Sequence, residues 1–221
     1  MANDVYIIKE LLTTGCPIEK IDFVSYWHYT FKSKARLNAL RNSAQLIYDF
    51  NISGSVAELG VDKGNFAKEI NAFFPDRKLY LFDTFEGFSD KDILKERELG
   101  NRQNYNSINA EFNTSVEIVL NKMPYPQNCI VRKGYFPETA SGLEDNFAFV
   151  SLDCDLYQPM LAGLKYFYTR MNRKGIIFID DYLSFFFGEP VKRAVFEFKK
   201  IFDDASLVSL GDNMSIAILK P

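Results

Sequence analysis

The sequence predicts an α/β protein built on a doubly wound, seven-stranded and mostly parallel sheet with helices on both faces. Three observations predict it. From about residue 55, short runs rich in β-branched and aromatic residues alternate with segments of helical period. Several runs, such as Ile176-Ile177-Phe178-Ile179, are apolar throughout rather than at alternate positions, as in strands covered on both faces. Acidic residues then recur where the strands end, and ligands of such sheets bind at the carboxyl ends of the strands.

In order, the predicted strands are 56–61, 78–83, 129–133, 147–153, 175–180, 207–210 and 215–219. The last two are so close together that one is expected to be antiparallel at the edge. Helices are predicted at 65–74, 108–122, 159–171 and 190–202, each connecting two strands. Residues 1–54 lack the strand rhythm and show helical periodicity at 5–12 and 37–50, which suits an N-terminal helical cap on a single domain. Residues 89–106 (SDKDILKERELGNRQNYN) are polar and nearly free of core residues, and are expected to form a mobile loop or lid.

Composition excludes several classes. The 221 residues suit one core, and 26 basic against 29 acidic side chains leave a net charge of -3. That balance gives no footprint for nucleic acid or an anionic membrane. Three separated cysteines (Cys16, Cys129, Cys154) make neither a disulfide framework nor a thiolate zinc site. The N-terminus lacks a signal-peptide pattern and no apolar run reaches membrane-spanning length, so the chain is expected to be cytoplasmic.

The first strand runs into Glu58-Leu59-Gly60-Val61-Asp62-Lys63-Gly64, a glycine-bearing turn that lets a ligand approach the backbone. A dinucleotide fingerprint has glycine where Asp62 stands, and a carboxylate there repels a pyrophosphate. S-adenosylmethionine carries a sulfonium and an ammonium and suits an acidic loop better. Asp83 ends the second strand at the spacing of an acid that binds ribose hydroxyls; the alternative is that it only organises the turn 83–87. The rivals are a nucleotide-cofactor oxidoreductase on the same sheet and a methyltransferase acting on a catechol or a nitrogen.

The fourth and fifth strands end in Asp153-Cys154-Asp155 and Asp180-Asp181. Adjacent strand ends lie about 5 Å apart, so these carboxylates converge and need a counter-charge. A hard divalent cation such as Mg2+ or Ca2+ takes such oxygens. Asp153 is the preferred ligand and base. Asp155 is open between a ligand and a helix N-cap paired with Gln158. Asp180 and Asp181 share one ion only if the chain turns between them. His28, the only histidine, is expected to be a packed residue, and Lys32, Lys34, Arg36 and Arg41 a solvated helix face. Phe185-Phe186-Phe187 is expected to be a substrate wall or a subunit contact rather than three exposed rings.

With these residues assembled, residues 36–200 resemble the macrocin O-methyltransferase (TylF-type) family of sugar O-methyltransferases, which have a Rossmann-like class I methyltransferase fold. The resemblance rests on Val56-Ala57-Glu58-Leu59-Gly60-Val61, Leu81-Phe82-Asp83-Thr84-Phe85-Glu86-Gly87-Phe88, Leu152-Asp153-Cys154-Asp155-Leu156-Tyr157 and Gly175-Ile176-Ile177-Phe178-Ile179-Asp180-Asp181-Tyr182. It implies magnesium-dependent methyl transfer from S-adenosylmethionine to the hydroxyl of a sugar or glycosylated small molecule. It further implies metal binding at Asp153, Asp180 and Asp181, Asp153 as base, Gly134 and Tyr135 near the adenine, a homo-oligomer and an N-terminal lid. The chain departs from the family at Asp62-Lys63-Gly64-Asn65 and at Lys174-Gly175.

Overall fold

The structure, a computed structural model, describes residues 23–109 and 114–221. Its elements are α1 (Phe23–Asp49), β1 (Ser55–Leu59), α2 (Asn65–Phe73), β2 (Leu79–Asp83), α3 (Asp90–Glu98), α4 (Tyr105–Asn109), α5 (Val116–Leu120), β3 (Cys129–Lys133), β4 (Phe147–Leu152), α6 (Tyr157–Tyr168), β5 (Met171–Ile179), α7 (Gly188–Ile201), β6 (Ser206–Ser209) and β7 (Ile216–Leu219). The sheet order is β3-β2-β1-β4-β5-β7-β6. β1 to β5 are parallel, and β7 runs antiparallel to both β5 and β6. The expected seven strands all form, and chain order reverses direction between β1 and β4, where such sheets open a crevice. No helix among the described residues is long and apolar enough to cross a membrane.

Register places the site. Phe82, Leu59, Leu152 and Ile179 stand side by side across β2, β1, β4 and β5. The next residues of these strands are therefore neighbours too: Asp83, Gly60, Asp153 and Asp180. Backbone bonds carry the ladder one step further, from Gly60 N–H to Phe82 O (2.9 Å), Asp153 N–H to Leu59 O (2.8 Å) and Asp180 N–H to Leu152 O (2.9 Å).

Side chains alternate between two layers. Ala57, Leu59, Val150, Leu152 and Ile179 face α6 and α7 in one core; Val56, Phe149 and Phe178 face α1 and α2 in the other. The first core centres on Phe167, fully buried, with Phe82, Phe136 and Phe147 ring centroids 5.1–5.8 Å away. On the second face the apolar pattern breaks at Glu58 and Ser151, which are register partners. Both are buried beneath α1.

Two expectations need correction. Residues 89–106, expected to be a loop, carry α3 and the first residue pair of α4. Ser89 caps α3 through Lys91 N–H, and Ile93 and Tyr105 pack on Leu156 in a small third core. Polarity hid this helix because its buried face also holds Asp92 and Glu96. The single helix expected over 108–122 is two short ones: Ser115 restarts the chain by accepting from Ile118 N–H, and Asn109 Oδ1 accepts from Phe88 N–H (2.7 Å). The periodic stretch 5–12 and Cys16 lie outside the described residues. His28 falls on α1, but its side chain lies outside them as well.

Arg36, expected on a solvated face, is 6% exposed. It lies on the stripe Arg36-Leu40-Ala44-Ile47 that α1 turns to the sheet. Its Nη1 donates to Asp153 Oδ2 (2.9 Å) and Asp180 Oδ2 (2.7 Å), and Nη2 donates to Ser151 Oγ (3.0 Å). Its guanidinium also lies over the Phe66 ring, 4.0 Å from the centroid.

Two stability changes follow, both read by denaturant unfolding. Phe167→Ala is expected to cost about 3–5 kcal/mol and Phe167→Leu much less, since leucine refills most of the cavity. Arg36→Met is expected to cost about 3–5 kcal/mol by removing one side of a buried charge network. Arg36→Lys should recover only part of that loss, because a point charge cannot bridge three acceptors as a planar fork does.

Candidate active site

A cleft of about 660 Å3, its open mouth included, follows the carboxyl ends of β3, β2, β1 and β4. Of the sequence-predicted residues, Gly60, Asp62, Asp83, Gly134, Tyr135 and Asp153 line it, whereas Glu58 and Gly64 do not. Gly60 must be glycine: its φ is +84°, and an added Cβ would sit 2.0 Å from the carbonyl oxygen of Asp153. That close approach brings the turn after β1 against the end of β4. Gly64 instead opens α2, and a Cβ there would meet Val119 of α5 at 2.9 Å.

Asp83 fastens both of its neighbouring turns. Oδ2 accepts from Val61 N–H (2.6 Å) and Asp62 N–H (2.9 Å), and Oδ1 accepts from Phe85 N–H (2.6 Å). It therefore organises its own turn, as the alternative held, and also sets the shape of the turn after β1. A carboxylate has about four lone-pair sites, so ligand hydroxyls still find acceptors there.

At the β4 and β5 ends the chain bends sharply. Asp155 has φ +60° and Asp181 φ +57°, left-handed values that aspartate tolerates better than most residues. Asp181 thereby leaves the strand line and joins Asp153 and Asp155; ligand oxygens of these three lie within 4.8 Å of one another. Asp180, named with Asp153 and Asp181 from sequence, stays on the strand face toward α1. There it bonds Arg36 and accepts from Ser215 Oγ (2.6 Å). Asp155 is not the cap of α6: that helix has no side-chain cap of its own, and Glu96 Oε1 of α3 accepts from Tyr157 N–H (2.7 Å).

The electrostatics of the centre agree with its geometry. Burial, then the nearness of Asp181 and Asp153, pushes the Asp155 carboxyl well above the usual range. Burial, then Asp153, does the same to Glu58, which is 1% exposed. Among the described residues the Glu58 oxygens find no hydrogen-bond partner of good geometry, although the Ser151 hydroxyl and Arg36 favour their charged form. Burial opposes the charge on Arg36, but Asp180 and Asp153 outweigh it and hold the guanidinium protonated. An all-oxygen, electron-rich donor set of this kind fits a hard divalent cation and not a soft one. Among the described residues, Asp153, Asp155 and Asp181 are close enough together to hold such an ion.

Beyond the cleft, Phe185 and Phe186 are 90% and 60% exposed, whereas Phe187 packs against Phe88 with ring centroids 6.2 Å apart. Two buried residues of the site were not predicted as such: Arg36, expected on a solvated face, and Asp92, which was not singled out. Arg36 was readable from its place on the apolar stripe of α1. Asp92 shares a helix turn with Ile93 and Glu96, but nothing in so polar a stretch marked it.

Comparison with known proteins bears on the family and the fold. The family model of the macrocin O-methyltransferases (TylF) matches residues 21–210. The chain is 25% identical over 183 residues to demethyldecarbamoylnovobiocin O-methyltransferase of Streptomyces niveus, covering 77% of this chain and 67% of that protein. Among solved structures, the O-methyltransferase NovP superposes with a TM-score of 0.70 at 22% identity, over 84% of this chain and 79% of its own. The calicheamicin methyltransferase CalS11 does so with a TM-score of 0.62 at 19% identity, over 99% and 91%. Its apo form, described as a TDP-rhamnose 3'-O-methyltransferase, gives a TM-score of 0.56 at 18% identity, over 99% and 93%. The oxidoreductase alternative falls away, and the chain belongs to the macrocin O-methyltransferase (TylF) family as an O-methyltransferase.

Proposed function

We propose that this enzyme transfers the methyl group of S-adenosylmethionine to a hydroxyl of a sugar or glycosylated small molecule, assisted by a divalent cation such as Mg2+. The observation that carries this reading is the continuity of one cleft from the glycine turn and Asp83 to Asp153 and Asp155. Family membership supports the methyl donor. The relatives described as a demethyldecarbamoylnovobiocin O-methyltransferase and as a TDP-rhamnose 3'-O-methyltransferase support the sugar.

Asp83 would hold the ribose, Gly60 and Asp62 the amino-acid end of the cofactor, and Gly134 and Tyr135 its adenine end. This order leaves the sulfonium beside Asp153, at the start of the acidic centre. A substrate hydroxyl held there attacks the methyl carbon in line with the carbon–sulfur bond. As the O–CH3 bond forms, the S–CH3 bond breaks, the sulfonium becomes a thioether, and the hydroxyl proton passes to a carboxylate oxygen of Asp153. Asp153, Asp155 and Asp181 would hold the cation, which when bound would supply the positive charge that lowers the pKa of a substrate hydroxyl. The Asp180 carboxylate acts at one remove, by holding Arg36 against Asp153.

Transfer of labelled methyl from S-adenosylmethionine to nucleotide-linked sugars and glycosides tests this. Asp153→Asn is expected to lower turnover by about 100- to 10,000-fold, the usual weight of a general base, while cofactor binding persists. Chelation of divalent ions should cause a loss that added Mg2+ reverses. Turnover by Asp153→Asn equal to wild type, or indifference to chelation, would remove these acids from the chemistry.

A further inference from the structure

The buried face of α3 carries two acids, and the fold uses one of them. Glu96 accepts from Tyr157 N–H (2.7 Å) and from the Asn101 side chain (3.2 Å), which closes the N-terminus of α6. Asp92 has no such duty. It is 5% exposed and lines the cleft beside Tyr135, Ser89 and Phe88. Its Oδ1 accepts from the Tyr135 hydroxyl (3.0 Å), which leaves Oδ2 as the oxygen a ligand donor can meet. Burial pushes its carboxyl up to about 6, against the Tyr135 hydrogen bond that lowers it. A carboxylate at the edge of a largely apolar cleft is a strong acceptor for a ligand donor that reaches it.

Position says which donor. Strand order sets β3 at one end of the cleft and β4 at the other. With the sulfonium beside Asp153 and the ribose at Asp83, the adenine falls at the β3 end, where Tyr135 and Asp92 meet. Adenine carries one exocyclic donor, its 6-amino group.

We propose that Asp92 accepts a hydrogen bond from the 6-amino group of the cofactor's adenine, with Tyr135 positioning the carboxylate through its other oxygen. The inference rests on the methyltransferase reading above and adds a residue that selects the base.

Calorimetry on the full chain with two probes tests it: S-adenosylhomocysteine, and S-inosylhomocysteine, in which a carbonyl oxygen replaces the amino group. Wild type should bind the adenosyl compound roughly 10- to 100-fold more tightly, the weight of one hydrogen bond to a charged group. Asp92→Ala should bring the two affinities together by weakening only the adenosyl compound. Asp92→Asn, whose amide can donate to the carbonyl, should shift the preference toward the inosyl compound, an effect that loss of packing would not produce. Tyr135→Phe should reduce the preference in part. Equal affinities in wild type, or an unchanged preference in both Asp92 variants, would overturn the role of Asp92 while leaving the enzyme's cofactor in place. Failure of wild type to bind either compound would instead bring down the cofactor reading, and this inference with it.

Discussion

The Arg36 guanidinium is the contact on which this architecture turns. Glu58, Asp153 and Asp180 face the same side of the sheet, because residues at even spacing on a strand share a face. Carboxylates in that position, buried between a sheet and a helix, repel one another and lose solvation together. Arg36 reaches them from α1 and carries their counter-charge into the layer, with Phe66 beneath it. One helical residue thus joins the N-terminal element, the central strands and the acidic centre.

The same contact gives the centre two sides. Toward α1, Asp180 is held by Arg36 and Ser215. Away from it, the left-handed turns at Asp155 and Asp181 gather a second set of oxygens around Asp153. Asp153 belongs to both sets and also borders the glycine turn, whose Gly60 its carbonyl almost touches. Backbone strain at strand ends is held in place by the surrounding ladder, and at Asp155 and Asp181 it brings the carboxylates together.

Much of this was legible in the sequence for a physical reason. Continuous apolar strands such as 176–179 leave little choice of layer, and acids directly after them have only the strand ends to occupy. What was hard to read depends on contacts distant in sequence. Asp155 precedes Gln158 as a cap would, yet Glu96, some sixty residues earlier in the chain, reaches the helix end first. Residues 90–98 look like loop because polar side chains that find buried partners are indistinguishable, in one sequence, from polar side chains in water. Arg36 could have been placed: Glu58 and Ser151 interrupt otherwise apolar strand faces, and a buried acid requires a cation on whichever helix covers it.

The whole account depends on the cleft being a cofactor site built from the turn after β1 and from Asp83, separable from the acids beyond it. Calorimetric titration with S-adenosylhomocysteine, with and without Mg2+, on wild type, Asp83→Ala and Asp153→Ala measures this most directly. The expected result is saturable binding by wild type, kept in Asp153→Ala and lost or strongly weakened in Asp83→Ala. No binding by wild type under either condition, or binding indifferent to Asp83, would contradict it.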